Sequence, residues 1–310
     1  MIVRETSSAR WNTSKRRLHK STATIHLRRL CNFPLFSCEL TGEDQMKTRF
    51  SRTRTIQAAL ILAAIFTGAL VARNQPADPR NQHKVPVVLE LFTSEGCSSC
   101  PPADQLLESL DEKQPFSGAD LIVLSEHVDY WNSARWTDPY SSKTFSARQS
   151  WYAEQFKLDE VYTPQIVIDG EREAVGGNGG KIREAVQAAA RSQKVTLSIS
   201  DAVSRAGQIK FHLSSENLSH IAGPATVYVA LAQNKVHSQV AGGENGGRSL
   251  THVAVVRALT KVASLQSGAL LSKEISVSLP PGAPSSGLRI VALLQNEKTH
   301  KIVGATQQKI

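Results

Sequence analysis

The stretch "VPVVLELFTSEGCSSCPPADQLLESL", residues 85–110, restricts the fold of this chain more than any other. Val85 to Phe92 is a short, nearly continuous apolar run, the pattern of a buried strand, and Leu106, Leu107 and Leu110 then fall on one helical face. Cys97 and Cys100 lie between the two, so a strand delivers a C-x-x-C turn to the start of a helix. A redox pair, half of a metal site and a structural disulfide are all compatible with that arrangement.

Charge narrows the class of partner. The chain has 310 residues and a formal charge of +9, but residues 1–72 hold 12 Lys/Arg against 4 Asp/Glu, leaving 24 against 23 in the remainder. The body is nearly neutral and has no basic stripe interleaved with aromatics, which argues against nucleic-acid binding. The basic excess precedes an apolar run from Ile56 to Ala72, and the two together have the form of a secretory signal over residues 46–72, with an uncleaved anchor as the alternative. Translation is expected to start at Met46, which makes residues 1–45 an upstream extension and removes Cys31 and Cys38 from the mature protein. The expected location is periplasmic or secreted, where a disulfide between the two remaining cysteines persists.

Residues 73–84 form a polar linker with two prolines. A first domain over residues 85–193 follows in the order strand, helix, strand, helix, strand, strand, helix. Its second helix places Phe145, Gln149, Tyr152 and Phe156 near one side, and its last places Ile182, Ala185, Val186 and Ala189 at helical spacing. Residues 195–310 contain seven short runs rich in β-branched residues and separated by Gly, Pro, Ser and Asn, the pattern of an antiparallel sandwich. The expected fold is therefore an α/β domain followed by an all-β, sandwich-like domain.

Helix N-termini favour anions, so a cysteine at the C-x-x-C turn ionises readily, its pKa falling to about 3.5–7.5 in such motifs. Cys97, usually the more exposed of such a pair, is the expected nucleophile and Cys100 the resolving thiol. Pro101 and Pro102 leave the helix start open: a start at Ser98 puts Pro102 where it kinks the helix, and a start near Cys100 moves the dipole away from Cys97. Glu90 interrupts "VVLELF" and is either a buried proton acceptor for Cys100 or a carboxylate on an uncovered strand face. Pro164 begins the strand "QIVID", and a cis Thr163–Pro164 bond would turn the Thr163 backbone toward the cysteines and an extended client. "HVDYWNSARWTDPYSS" packs His127, Asp129, Tyr130, Trp131, Trp136 and Asp138 closely and is a wall for a client, with His127 and Trp131 in contact with it, a source of ligands, or an ordered loop capping the core. "GGENGGRSLTHVAVVRAL", with Glu244, Asn245, Arg248, His252 and Arg257 around four glycines, either folds back over the cysteines or forms a turn with an interdomain salt bridge.

"FTSEGCSSCPPAD", "HVDYWN", "VYTPQIVIDG" and "GENGGRSLTHVAVVRAL" together resemble the bacterial exported thioredoxin-like family catalogued as domain of unknown function 1223, from about Val87 to the C-terminus. The resemblance implies a thioredoxin-like domain followed by a β-rich one and supplies no activity. Against thioredoxin itself the chain departs at Gly96, at the Ser-Ser pair between the cysteines and at Glu90, which stands where thioredoxin has an Asp at slightly different spacing. The expected activity is thiol–disulfide exchange through Cys97 and Cys100, with Pro164 shaping the client groove and Thr163, Trp131 and His127 lining it. It requires no cofactor and no metal, only thiol- or disulfide-bearing clients and a redox partner that resets the pair. The alternatives are copper(I) or other metal handling by the same thiols and a scaffold with a static disulfide.

Overall fold

The computed structural model describes residues 84–219 and 221–310; the expected upstream extension, the expected signal peptide and all of the expected linker except Lys84 lie outside the described residues. Among the described residues no helix is long and apolar enough to cross a membrane. The first half has the expected order: β1 (Val85–Thr93), α1 (Pro101–Lys113), β2 (Ala119–His127), α2 (Lys143–Phe156), β3 (Gln165–Ile168), β4 (Arg172–Val175) and α3 (Gly179–Ala189).

Local chemistry explains these boundaries. Cys100 caps α1 and the two prolines occupy its first positions, where a missing N–H has no helical partner. Ser142 caps α2 by accepting from the Thr144 N–H, and Asn178 caps α3 by accepting from the Lys181 N–H. Asp169 and Gly170, with φ of 51° and 64°, make the β3–β4 turn that an Asp-Gly pair favours.

All seven later runs form strands: β5 (Leu197–Arg205), β6 (Gln208–Ser215), β7 (Ala225–Gln239), β8 (Ser249–Leu265), β9 (Ser272–Ser278), β10 (Leu288–Asn296) and β11 (Ile302–Lys309). They do not form a sandwich of their own. Four of them join the first half in one mixed eight-stranded sheet of order β11-β10-β7-β8-β2-β1-β3-β4, leaving β5-β6-β9 as a separate three-stranded sheet. Strands hold 45% of the described residues and helices 17%. This corrects the expected thioredoxin-like α/β domain plus sandwich-like domain: the chain is mostly β, with a sheet that runs through both halves.

The physical reason lies at β2. In the first half alone β2 would be an unpaired edge with open backbone groups; here β8 lies along it, parallel, pairing Ser125 with Val255. Alternation along β7 then serves two cores. Ala230 and Ala232 pack in the cluster that holds Leu89, Leu91 and Leu107, while Val227, Val229 and Leu231 pack with Phe211, Leu213 and Ile275. A polar tie reinforces the join, since the buried Arg289 of β10 donates both terminal nitrogens to Asp111 of α1 at 2.8 Å each. The candidate site forms where the segments after β1 and β2 meet the loop between β7 and β8.

Candidate functional site

Cys97 and Cys100 form a disulfide with their Cα atoms 5.5 Å apart. The Cys100 carbonyl accepts from the Ala103 and Asp104 N–H groups at 2.9 and 3.1 Å, so the helix begins directly after Cys100 and its positive end lies nearer Cys100 than Cys97. Cys97 Sγ lies 3.3 Å from Ser99 Oγ. Both cysteines are 0% exposed, so Cys97 is not the open member of the pair; of the turn, only Ser98 and Ser99 reach solvent.

The glycine-rich loop between β7 and β8 supplies the cover, the first of the two arrangements open to it. Asn245, fully buried, donates from Nδ2 to the carbonyls of Glu95 at 2.9 Å and Cys97 at 2.8 Å. Glu244 accepts from the Ser98 N–H at 3.0 Å. Gly243, at φ +72°, stands where a Cβ would lie 3.7 Å from the Gly96 Cα, and a Cβ on Gly242 would run into the Arg135 carbonyl.

The Thr163–Pro164 peptide is cis. A Cβ on Gly176 would meet Ala103 of α1 at 2.9 Å and Pro164 at 3.0 Å, which places Pro164 beside the first turn of α1. Ser99 Oγ lies 3.5 Å from the Thr163 carbonyl, and Trp131 Nε1 donates to Thr163 Oγ1 at 2.7 Å. The fold thus brings Cys97, Cys100, Thr163, Pro164 and Trp131 together. Glu90 is buried, but strand alternation turns it away from Leu89 and Leu91, which pack with Leu107 of α1. Its carboxylate accepts from Arg148 Nε at 2.5 Å and Tyr152 Oη at 2.6 Å, both on α2.

His127 is buried in a second group of polar side chains. Its Nδ1 lies 2.7 Å from Asp138 Oδ2, and its ring stands edge-on to His252 of β8 with centroids 4.7 Å apart. Burial raises the Asp138 carboxyl pKa, but the His127 charge and hydrogen bond, with the Glu95 and Tyr140 amides, outweigh it and hold the group at about 2. His252 sits between two carboxylates, Nε2 at 3.7 Å from Glu95 Oε1 and Nδ1 at 3.6 Å from Asp104 Oδ2. Burial lowers its pKa; Asp104 and Glu95 more than reverse this and push it up to about 10. Those four atoms and His127 Nε2 are buried and without a hydrogen-bond partner. Among the described residues no three His, Cys, Asp or Glu side chains converge as a group that could hold a metal ion.

The sequence places His127 and Asp138 in one candidate segment and His252 in another, but gives Glu95 and Asp104 no role and does not bring these residues together. The signal available was an acid on either side of the C-x-x-C turn in "SEGCSSCPPAD" and a histidine opening the apolar run "HVAVV".

The family model described as "Protein of unknown function (DUF1223)" matches residues 88–295. The crystal structure of protein AGR_C_4864 from Agrobacterium tumefaciens is similar, with a TM-score of 0.56 and 27% identity over 74% of this chain and 96% of that one. A domain of the outer membrane lipoprotein Omp28 from Porphyromonas gingivalis matches at a TM-score of 0.26 and 15% identity, covering 38% of this chain and 88% of its own, too distant to bear on the site. A search of the curated proteins finds no match.

Proposed function

The chain belongs to the DUF1223 family, whose description assigns no activity, and on that premise we propose from the site alone that it is an exported thiol–disulfide exchange protein working through Cys97 and Cys100 once the covering loop lifts. The observation that carries this is where a very short disulfide loop has been placed. The cysteines are three positions apart, and a crosslink that short constrains the unfolded chain by only roughly 2 kcal/mol, against about 4.7 for a 100-residue loop. It makes a weak brace, yet it lies beside buried charges whose desolvation is costly. In the reduced state Cys97 attacks a client disulfide and Cys100, at the positive end of α1, resolves the mixed disulfide. Thr163, Pro164 and Trp131 flank the turn where an extended client would lie, and a second redox protein resets the pair.

One observation favours a different reading, a static disulfide in a scaffold: neither cysteine has any exposed surface. Thiol trapping across graded redox buffers separates the two. Exchange predicts a midpoint above about −300 mV and a mixed disulfide captured on Cys97 in Cys100→Ser. A lower midpoint with no captured client leaves the scaffold.

A further inference from the structure

The two acids that flank the disulfide converge on one imidazole. Glu95 stands two residues before Cys97 and Asp104 one helical turn after Cys100, and both reach His252 from opposite sides. None of the three is more than 4% exposed. At 3.6 and 3.7 Å these contacts are longer than hydrogen bonds; they are charge against charge, in a place where salt screens weakly. The other groups facing His252 are His127, which is bonded to Asp138, and Tyr140, whose ring centroid is 6.4 Å away and has the Arg257 guanidinium over it at 5.1 Å. A cleft of about 150 Å³ between α1 and the start of β8 is lined by Asp104 together with Pro101, Gln105, Glu108 and Ser249, and does not reach His252 itself.

We propose that His252 is a positioning residue for the cysteine pair, its positive charge offsetting Glu95 and Asp104 so that the reduced form of Cys97 and Cys100 is favoured. The proposal rests on exchange being the activity. Reduction by glutathione breaks the Cys97–Cys100 bond, forms one glutathione disulfide and passes two electrons to the cysteine sulfurs. The two glutathione protons end on those sulfurs or, where a sulfur stays a thiolate, in solvent. Where Cys97 stays a thiolate, as the proposal requires of the nucleophile, reduction puts negative charge at the turn. Two carboxylates alone oppose it, and the imidazolium between them removes part of that opposition, which raises the potential.

The test is the equilibrium of the full chain with glutathione at pH 7, read by thiol trapping in wild type, His252→Gln and Asp104→Asn. His252→Gln is expected to shift the equilibrium about tenfold toward the disulfide, equivalent to about 30 mV for a two-electron couple. Asp104→Asn, whose side-chain oxygen still accepts from Thr93 Oγ1, removes an opposing charge and is expected to shift it toward the dithiol. A purely structural role would move both variants the same way. Shifts of one sign, or none, with a wild type that still exchanges, overturn the role of His252 and leave exchange standing. If His252→Gln does not fold, the sign in Asp104→Asn decides. A wild type whose pair stays oxidised below about −300 mV overturns exchange itself, and the role of His252 with it.

Discussion

A histidine whose two ring nitrogens each face a carboxylate makes folding depend on pH. The folded pKa of His252 is about 10, against about 6.5 for an unfolded histidine. Its contribution to stability is therefore complete below about pH 6.5 and drains away as pH rises toward 10. The urea midpoint of wild type is expected to fall between pH 7 and pH 9, whereas that of His252→Gln stays nearly flat over the same interval; equal slopes would show that the imidazole is not charged in the folded state. Glu90 differs from this case. Its partners Arg148 and Tyr152 come from one helix and satisfy both of its oxygens, so it serves the packing of α2 whether or not protons pass near the sulfurs.

At the level of elements, the loop between β7 and β8 is short of side chains because it must approach backbone closely. A Cβ on Gly242 collides with the Arg135 carbonyl, while Gly247, at φ +84°, has open space around it. Gly242→Ala is expected to dislodge the cover and speed disulfide reduction by roughly tenfold or more. Gly247→Ala costs about 1–2 kcal/mol of backbone strain and leaves the rate closer to wild type. Trapping time courses on the two variants check this, and equal rates would mean that the loop is not the barrier. Elements of this size were also what the residue pattern disclosed. Ile182, Ala185, Val186 and Ala189 form the buried face of α3 as their spacing requires, and Asp169–Gly170 makes the expected turn. The face of α2 was legible in Phe145, Gln149 and Tyr152 but not in Arg148, which looks like a solvated residue until Glu90, three elements earlier, is known to meet it. The partners of His252 were hidden for the same reason: what makes it a site is the pair of acids about 150 positions upstream in the chain, a convergence that spacing along the chain cannot express.

For the whole molecule, the decisive fact is that the sheet does not stop at the boundary near residue 194. β6 and β9 show the alternation of a half-buried strand and β10 is buried throughout, and neither pattern says which edge a strand will find. β8 finds β2, and the apolar faces of β7 and β10 complete the core over α1. Unfolding is accordingly expected to be a single cooperative transition by far-ultraviolet and tryptophan signals. Residues 85–193 expressed alone should associate through the bared edge of β2 rather than yield a stable monomer, and a well-folded fragment monomer would contradict the shared core. The burial of the sulfurs has a kinetic consequence as well. With both walled off by Asn245 and its neighbours, a reductant must wait for an opening event before it can collide productively. Its concentration then ceases to matter beyond a plateau, and the protein answers to whatever frees that loop rather than to the ambient abundance of small thiols.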